Sequence, residues 1–286
     1  MTASEQDVLD VDGLRMRYGT TDVLHDVTFQ ARHGEVLALL GPNGAGKTTT
    51  IEILEGFRMR SAGRVTVLGT DPAHGNEVWR ARLGVVLQSW RDHGKWRVRE
   101  LLAHLGSCYS DAWDPDELVA AVGLTEQAHQ KIMTLSGGQR RRLDVAIGIV
   151  GRPEVLFLDE PTAGFDPEAR REFHELVRSL AGETTILLTT HDLAEAEKLA
   201  SRILILSAGR IIADGTASEL AQRIAGADEV RWTVDGQRFQ HSTLESTRFV
   251  FDLFRRHGEA IADLEVRRSS LEDTYLSLVH QAEVAR

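Results

Sequence analysis

The sequence predicts an α/β fold built on a parallel sheet, and three stretches carry that prediction. Residues 35–40 form an apolar run of strand length that ends in Gly41-Pro42-Asn43-Gly44-Ala45-Gly46-Lys47-Thr48. Residues 155–158 (Val-Leu-Phe-Leu) are a second such run, with Asp159 and Glu160 at its end. Residues 184–190 are a third, followed by His191 and Asp192. Short continuous apolar runs read as strands buried on both faces, and ligands of open parallel sheets collect at the carboxyl ends of the strands.

The octapeptide from Gly41 to Thr48 has the pattern G-x-x-x-x-G-K-T of a phosphate-binding loop. After it, Ile51, Ile53, Leu54 and Phe57 fall at helical spacing, so the loop joins a strand to a helix as the motif requires. Gly41, Gly44 and Gly46 let the backbone turn sharply with its N–H groups facing inward, and the helix start adds a partial positive charge. Lys47 is placed to reach the β- and γ-phosphates, and the Thr48 hydroxyl to bind Mg²⁺. The expected core is that of a P-loop NTPase.

Composition bounds the rest. A chain of 286 residues holds one sizeable domain and a smaller one. Lys+Arg 33 against Asp+Glu 43 gives −10, so no overall basic field invites nucleic acid. A single cysteine, Cys108, excludes an intrachain disulfide and fits a reducing compartment. The acidic start lacks the basic and apolar regions of a signal peptide, and no window approaches the ~20 apolar residues that span a bilayer. The expectation is a cytoplasmic protein whose membrane part, if it has one, is another chain.

Taken in order, residues 8–18 alternate, with Leu14, Met16 and Tyr18 on one side and Arg15 and Arg17 on the other, as in a half-buried strand. Tyr18 is either a stacking partner for a nucleobase or ordinary core. Residues 23–29, 63–69 and 83–88 read as further strands, the early ones forming an antiparallel β subdomain. Between about 89 and 150 the pattern turns helical, over 98–109 and 115–122, after a polar loop at 91–95; this reads as a helical insertion.

Leu135-Ser136-Gly137-Gly138-Gln139 opens the helix 140–150. Free N–H groups, a hydroxyl and the helix dipole there serve either an anion or a plain cap. Asp159 is placed to hold Mg²⁺ and Glu160 to polarise an attacking water; the alternative is a pair of acids capping the next helix. His191 either contacts a γ-phosphate or begins a helix. Residues 201–206 and 210–213 form a hairpin around Ala208-Gly209. Beyond residue 215 a ββαβα order, ending in a helix at 271–279, predicts a small α+β domain without legible chemistry. The expected division is 1–215 and 216–286.

The phosphate loop, Gln88, Leu-Ser-Gly-Gly-Gln at 135–139, Val-Leu-Phe-Leu-Asp-Glu-Pro-Thr at 155–162, Gly164-Phe165-Asp166-Pro167 and His191 resemble, in order and spacing, the ATP-binding subunit of an ABC transporter. The resemblance covers roughly residues 8–220. It implies that Tyr18 stacks on adenine and that Gly41, Asn43, Gly44, Ala45, Gly46, Lys47, Thr48 and Thr49 hold ATP and Mg²⁺. It implies that Gln88 senses metal, water and the membrane partner, that Asp159 is the Mg²⁺ carboxylate, that Glu160 is the catalytic base and that His191 touches the γ-phosphate. Ser136, Gly137, Gly138 and Gln139 then cap the ATP of a second copy, and Asp166 couples the two sites. A separate permease is expected to dock between Gln88 and Arg99, holding the ATPase on the inner face of the membrane.

Two departures stand out. Phe165 replaces the usual leucine of its loop, and residues 95–100 (Lys-Trp-Arg-Val-Arg-Glu) replace a Leu-Thr-Val-Arg-Glu-like run. The ending at 270–278, Ser-Leu-Glu-Asp-Thr-Tyr-Leu-Ser-Leu, is similar to that of daunorubicin-resistance-type drug and lipid exporters. The rival class is a soluble ABC ATPase acting on ribosomes or DNA. It fits poorly with one cassette, no heptads and an acidic balance.

Overall fold

A computed structural model of the protein describes residues 7–86, 93–224, 228–234, 236–243 and 245–267. The chain falls into two compact units, Met1–Asp214 and Gly215–Arg286.

In the first unit β1 (Asp7–Tyr18), β2 (Thr21–Arg32), β3 (Val36–Leu40), α1 (Lys47–Leu54) and β4 (Ala62–Val67) come first. They are followed by α2 (Glu77–Arg80), β5 (Leu83–Val86), α3 (Val98–Gly106), α4 (Pro115–Ala121) and α5 (Gly137–Ile149). Then come β6 (Val155–Asp159), α6 (Pro167–Leu180), β7 (Thr185–Thr190), α7 (Leu193–Leu199), β8 (Arg202–Ser207) and β9 (Arg210–Gly215). β1 pairs antiparallel with β2 and with β4, giving a three-stranded sheet of order β2-β1-β4. A six-stranded sheet has the order β5-β6-β7-β3-β8-β9, with β5, β6, β7, β3 and β8 parallel.

Every side chain of β3, β6 and β7 is buried, as expected where helices cover both faces of a parallel sheet. Burial of each large apolar side chain contributes roughly 1.5–3 kcal/mol. Leu9, Val11 and Leu14 of β1 and Val27 and Phe29 of β2 share one core with Ile51, Ile53 and Leu54 of α1 and with Leu37, Phe157 and Leu187 of the parallel sheet. The phosphate-loop helix is thus wedged between the two sheets. β8 turns into β9 at Ala208 and Gly209, both left-handed (φ 48° and 73°), the geometry of a tight hairpin.

The helix expected over 98–109 stops at Gly106. The next turns tighten, with Cys108 N–H donating to the Leu105 carbonyl and Tyr109 N–H to that of Gly106. The unwinding lays the Tyr109 ring on Gly151, where any Cβ would strike it. Strand 83–88 is seen over Leu83–Val86, and its last two residues, Gln88 among them, lie outside the described residues.

The second unit contains α8 (Ala217–Ile224), β10 (Asp228–Val234), β11 (Gln237–Thr243), α9 (Ser246–His257) and β12 (Ile261–Arg267). β10 pairs antiparallel with both neighbours in the order β11-β10-β12. Trp232 stacks on Phe239 across the pair and meets Phe249 of α9 edge-on. The helix expected at 271–279, and with it the acidic-aromatic ending, lies outside the described residues. Among the described residues no helix is long and apolar enough to cross a membrane.

Candidate functional site

β3, β6 and β7 are adjacent and parallel, so their carboxyl ends deliver Gly41, Asp159 and His191 to one edge of the sheet. The loop after β3 is held by backbone bonds: Gly41 N–H donates to the Thr190 carbonyl and Ala45 N–H to that of Pro42. A Cβ at Gly41 would strike the Leu206 carbonyl oxygen, and Gly46 is left-handed at φ 108° against Leu24, so neither position admits another residue without strain. Gly46 then caps α1.

Lys47, only 6% exposed, begins that helix. Its ammonium donates to the carbonyls of Gly41 (2.8 Å) and Pro42 (3.3 Å) and lies 3.3 Å from Glu160 Oε1. A buried ammonium is tolerable only with such partners. The other oxygen of Glu160 lies 2.6 Å from His191 Nδ1. One carboxylate therefore bridges the phosphate-loop lysine and the histidine after β7.

Asp159, at the end of β6, accepts from Thr48 Oγ (3.1 Å) through one oxygen and from Thr189 Oγ (2.5 Å) through the other. Thr48 and Asp159 set two hard oxygen donors side by side, the donor type Mg²⁺ prefers. Among the described residues no cluster of three or more His, Cys, Asp or Glu could hold a metal ion. Mg²⁺ characteristically takes few protein ligands and keeps phosphate oxygens and water in its shell.

Glu160 itself is left-handed at φ 47°, which costs a non-glycine residue about 1–2 kcal/mol. The conformation turns the chain at the end of β6 and is held from two sides. Thr189 Oγ accepts the Glu160 N–H (3.0 Å). Arg141 of α5 donates from Nε to the Pro161 carbonyl (2.9 Å) and from Nη2 to the Asp159 carbonyl (3.1 Å).

The remaining residues singled out in the sequence are less concentrated. Ser136 N-caps α5 in a capping box: Gln139 N–H donates to Ser136 Oγ, and Ser136 N–H to Gln139 Oε1. Gly137 is exposed and has open space where a side chain would stand. Asp166 N-caps α6, accepting from Ala169 N–H at 2.8 Å. Phe165, ahead of it, meets the buried Phe173 of α6 edge-on. Tyr18 is 39% exposed at the end of β1, outside the core, with the Arg58 guanidinium 5.0 Å above its ring. Asn43 and Thr49 sit on the loop and first turn of α1. Gln88 lies outside the described residues.

Sequence reasoning missed the buried support of this edge: Arg141, Thr189 and Glu195. Burial drives the Glu195 carboxyl above its ordinary value, while hydrogen bonds from Thr190 and Thr162 oppose the shift. Only Thr189, one residue before the end of a strand carrying site groups, offered a signal.

Residues 24–163 match the ABC transporter family. The chain is 42% identical to the daunorubicin resistance ATP-binding protein DrrA3 of Streptomyces coeruleorubidus, over 76% of this chain and 71% of that one. It is 41% identical to the Nod factor export ATP-binding protein I of Ralstonia nicotianae, over 78% and 71%. A solved ATP-binding subunit of an ABC transporter superposes with a TM-score of 0.69 at 26% identity, covering 95% of this chain and 99% of its own.

Proposed function

The chain belongs to the ATP-binding subunits of ABC transporters, ATPases that bind and hydrolyse ATP, and we propose that two copies close around ATP to drive a separate export permease. The observation that carries this reading is the Glu160 carboxylate, 3.3 Å from the lysine of the phosphate loop and 2.6 Å from His191. A base beside both γ-phosphate ligands is the arrangement that in-line attack by water requires.

In this reading the loop from Gly41 to Thr49 cradles the phosphates with backbone N–H groups and Tyr18 stacks on the adenine. Lys47 moves its charge from the Gly41 and Pro42 carbonyls to the β- and γ-oxygens. Thr48 and Asp159 hold Mg²⁺, which when bound screens the charge of the β- and γ-phosphates. Glu160 orients the water and accepts its proton; His191, hydrogen-bonded to Glu160, keeps that carboxylate aimed and contacts the γ-phosphate. Ser136, Gly137 and Gly138 complete the pocket of the other copy with N–H groups and the dipole of α5. A γ-phosphate shared by both copies favours the closed dimer, and its loss releases it. The permease docks near Gln88 and Arg99 and so keeps the ATPase at the membrane. Relatives whose names specify resistance to daunorubicin and export of Nod factor support an exporter of drug or lipid type.

The test is Glu160→Gln. Turnover is expected to fall by about 10²-fold or more, and size-exclusion chromatography with ATP to show a dimer that wild type forms only transiently. Undiminished hydrolysis would reject the role given to Glu160.

A further inference from the structure

We propose that Arg141 is the positioning residue for Glu160: it clamps the left-handed turn that aims the carboxylate and ties that turn to the helix carrying Ser136. The proposal rests on the reading of Glu160 as the base.

Arg141 is 8% exposed and lies in the second turn of α5. Its Nε donates to the Pro161 carbonyl and its Nη2 to the Asp159 carbonyl, and these two carbonyls flank Glu160. The planar guanidinium offers both donors in a fixed fork, so one side chain sets the spacing of the peptide groups on either side of the base. Glu160 at φ 47° needs such support, since the conformation is unfavourable in isolation. Thr189 holds the same turn from β7 through the Glu160 N–H. The base is therefore held between a strand and a helix.

The two holds differ in consequence. β7 lies inside the sheet and is fixed. α5 begins at Ser136, Gly137 and Gly138, exposed or half-exposed. A helix moves as a rigid element, so a displacement at its first turn reaches Arg141 and, through it, Glu160. Burial pulls the Arg141 guanidinium below its ordinary value, and Asp144, 4.0 Å from its Nη1, with Asp159 and Glu195 opposes that shift.

Steady-state ATP hydrolysis by the full chain tests this with wild type, Arg141→Gln, Arg141→Lys, Glu160→Gln and the double variant Arg141→Gln/Glu160→Gln. Arg141→Gln is expected to lower kcat about 10- to 100-fold, the scale of a misplaced catalytic group, with KM for ATP near the wild-type value. Arg141→Lys keeps the charge but not the fork and should recover only part of kcat. In the Glu160→Gln background the Arg141→Gln change should cost nothing further, because the group it positions is gone. A purely structural role would instead multiply the two losses. Multiplied losses, an unchanged kcat, or a rise in KM that accounts for the whole effect would overturn the proposal. If Arg141→Gln does not fold, Arg141→Lys carries the same comparison in both backgrounds. A wild-type chain without ATPase activity would reject the underlying reading and the proposal with it, whereas an active wild type insensitive to Arg141 rejects the proposal alone.

Discussion

At the scale of single residues, two carboxyls near the phosphate loop differ in their partners. Glu160 lies between the Lys47 ammonium and the His191 ring. Glu55, at the end of α1, is 5% exposed, and its Oε2 has no hydrogen-bond partner. Burial first, then the charges of Asp159 and Glu52, push the Glu55 carboxyl up to about 8 from an ordinary 4.5. The folded chain thus keeps a proton that the unfolded chain releases. That stabilisation is fully present below the unfolded value and is lost as pH rises toward 8, at up to about 1.4 kcal/mol per pH unit. Glu55→Gln keeps the shape without the charge, so its melting temperature should exceed that of wild type by much more at pH 8 than at about pH 5. Parallel shifts at the two pH values would show that Glu55 does not hold its proton in the fold.

At the scale of elements, the helix start at Ser136 explains why local sequence left two readings open there. Ser136 and Asp166 are both N-caps in the single chain, with the hydrogen bonds that caps make. A cap and an anion site use the same residue types and the same free N–H groups, so sequence cannot separate them. The cap at α6 can be weighed. Asp166→Ala should cost about 1 kcal/mol, roughly 2–4 °C of melting temperature. Asp166→Asn caps as well as aspartate and should melt like wild type. If Asp166 also couples two sites, the Asn variant will lose ATPase activity while keeping its stability. The parallel strands were legible because their apolar runs are short and continuous, the first strand by its alternation, and the phosphate-loop helix by the spacing of Ile51, Ile53 and Leu54. Two short helices, α2 and α8, had no counterpart in the sequence reading, while α6 and α7 entered it only as alternatives, a helix capped by Asp159 and Glu160 and a helix begun by His191.

At the scale of the molecule, every described residue of the proposed site belongs to the unit Met1–Asp214. A chain ended after residue 215 should therefore fold and bind ATP with the affinity of the full protein, as titration with a fluorescent ATP analogue will measure. Weakened binding would mean that the second unit supports the nucleotide site. Val230, Val234 and Leu253 give that second unit buried apolar residues of its own.

The sequence by itself determined the phosphate loop, the strands that end in Asp159-Glu160 and His191, and the family, because each is written in consecutive residues whose types the local chemistry demands. Only the tertiary structure decided that one carboxylate spans Lys47 and His191, that Thr48 and Asp159 share a corner, and that Arg141 grips the turn between them. Those contacts join residues far apart in the chain, and what brings them together is the strand order of a parallel sheet, a property of hydrogen-bonded neighbours that no local pattern encodes.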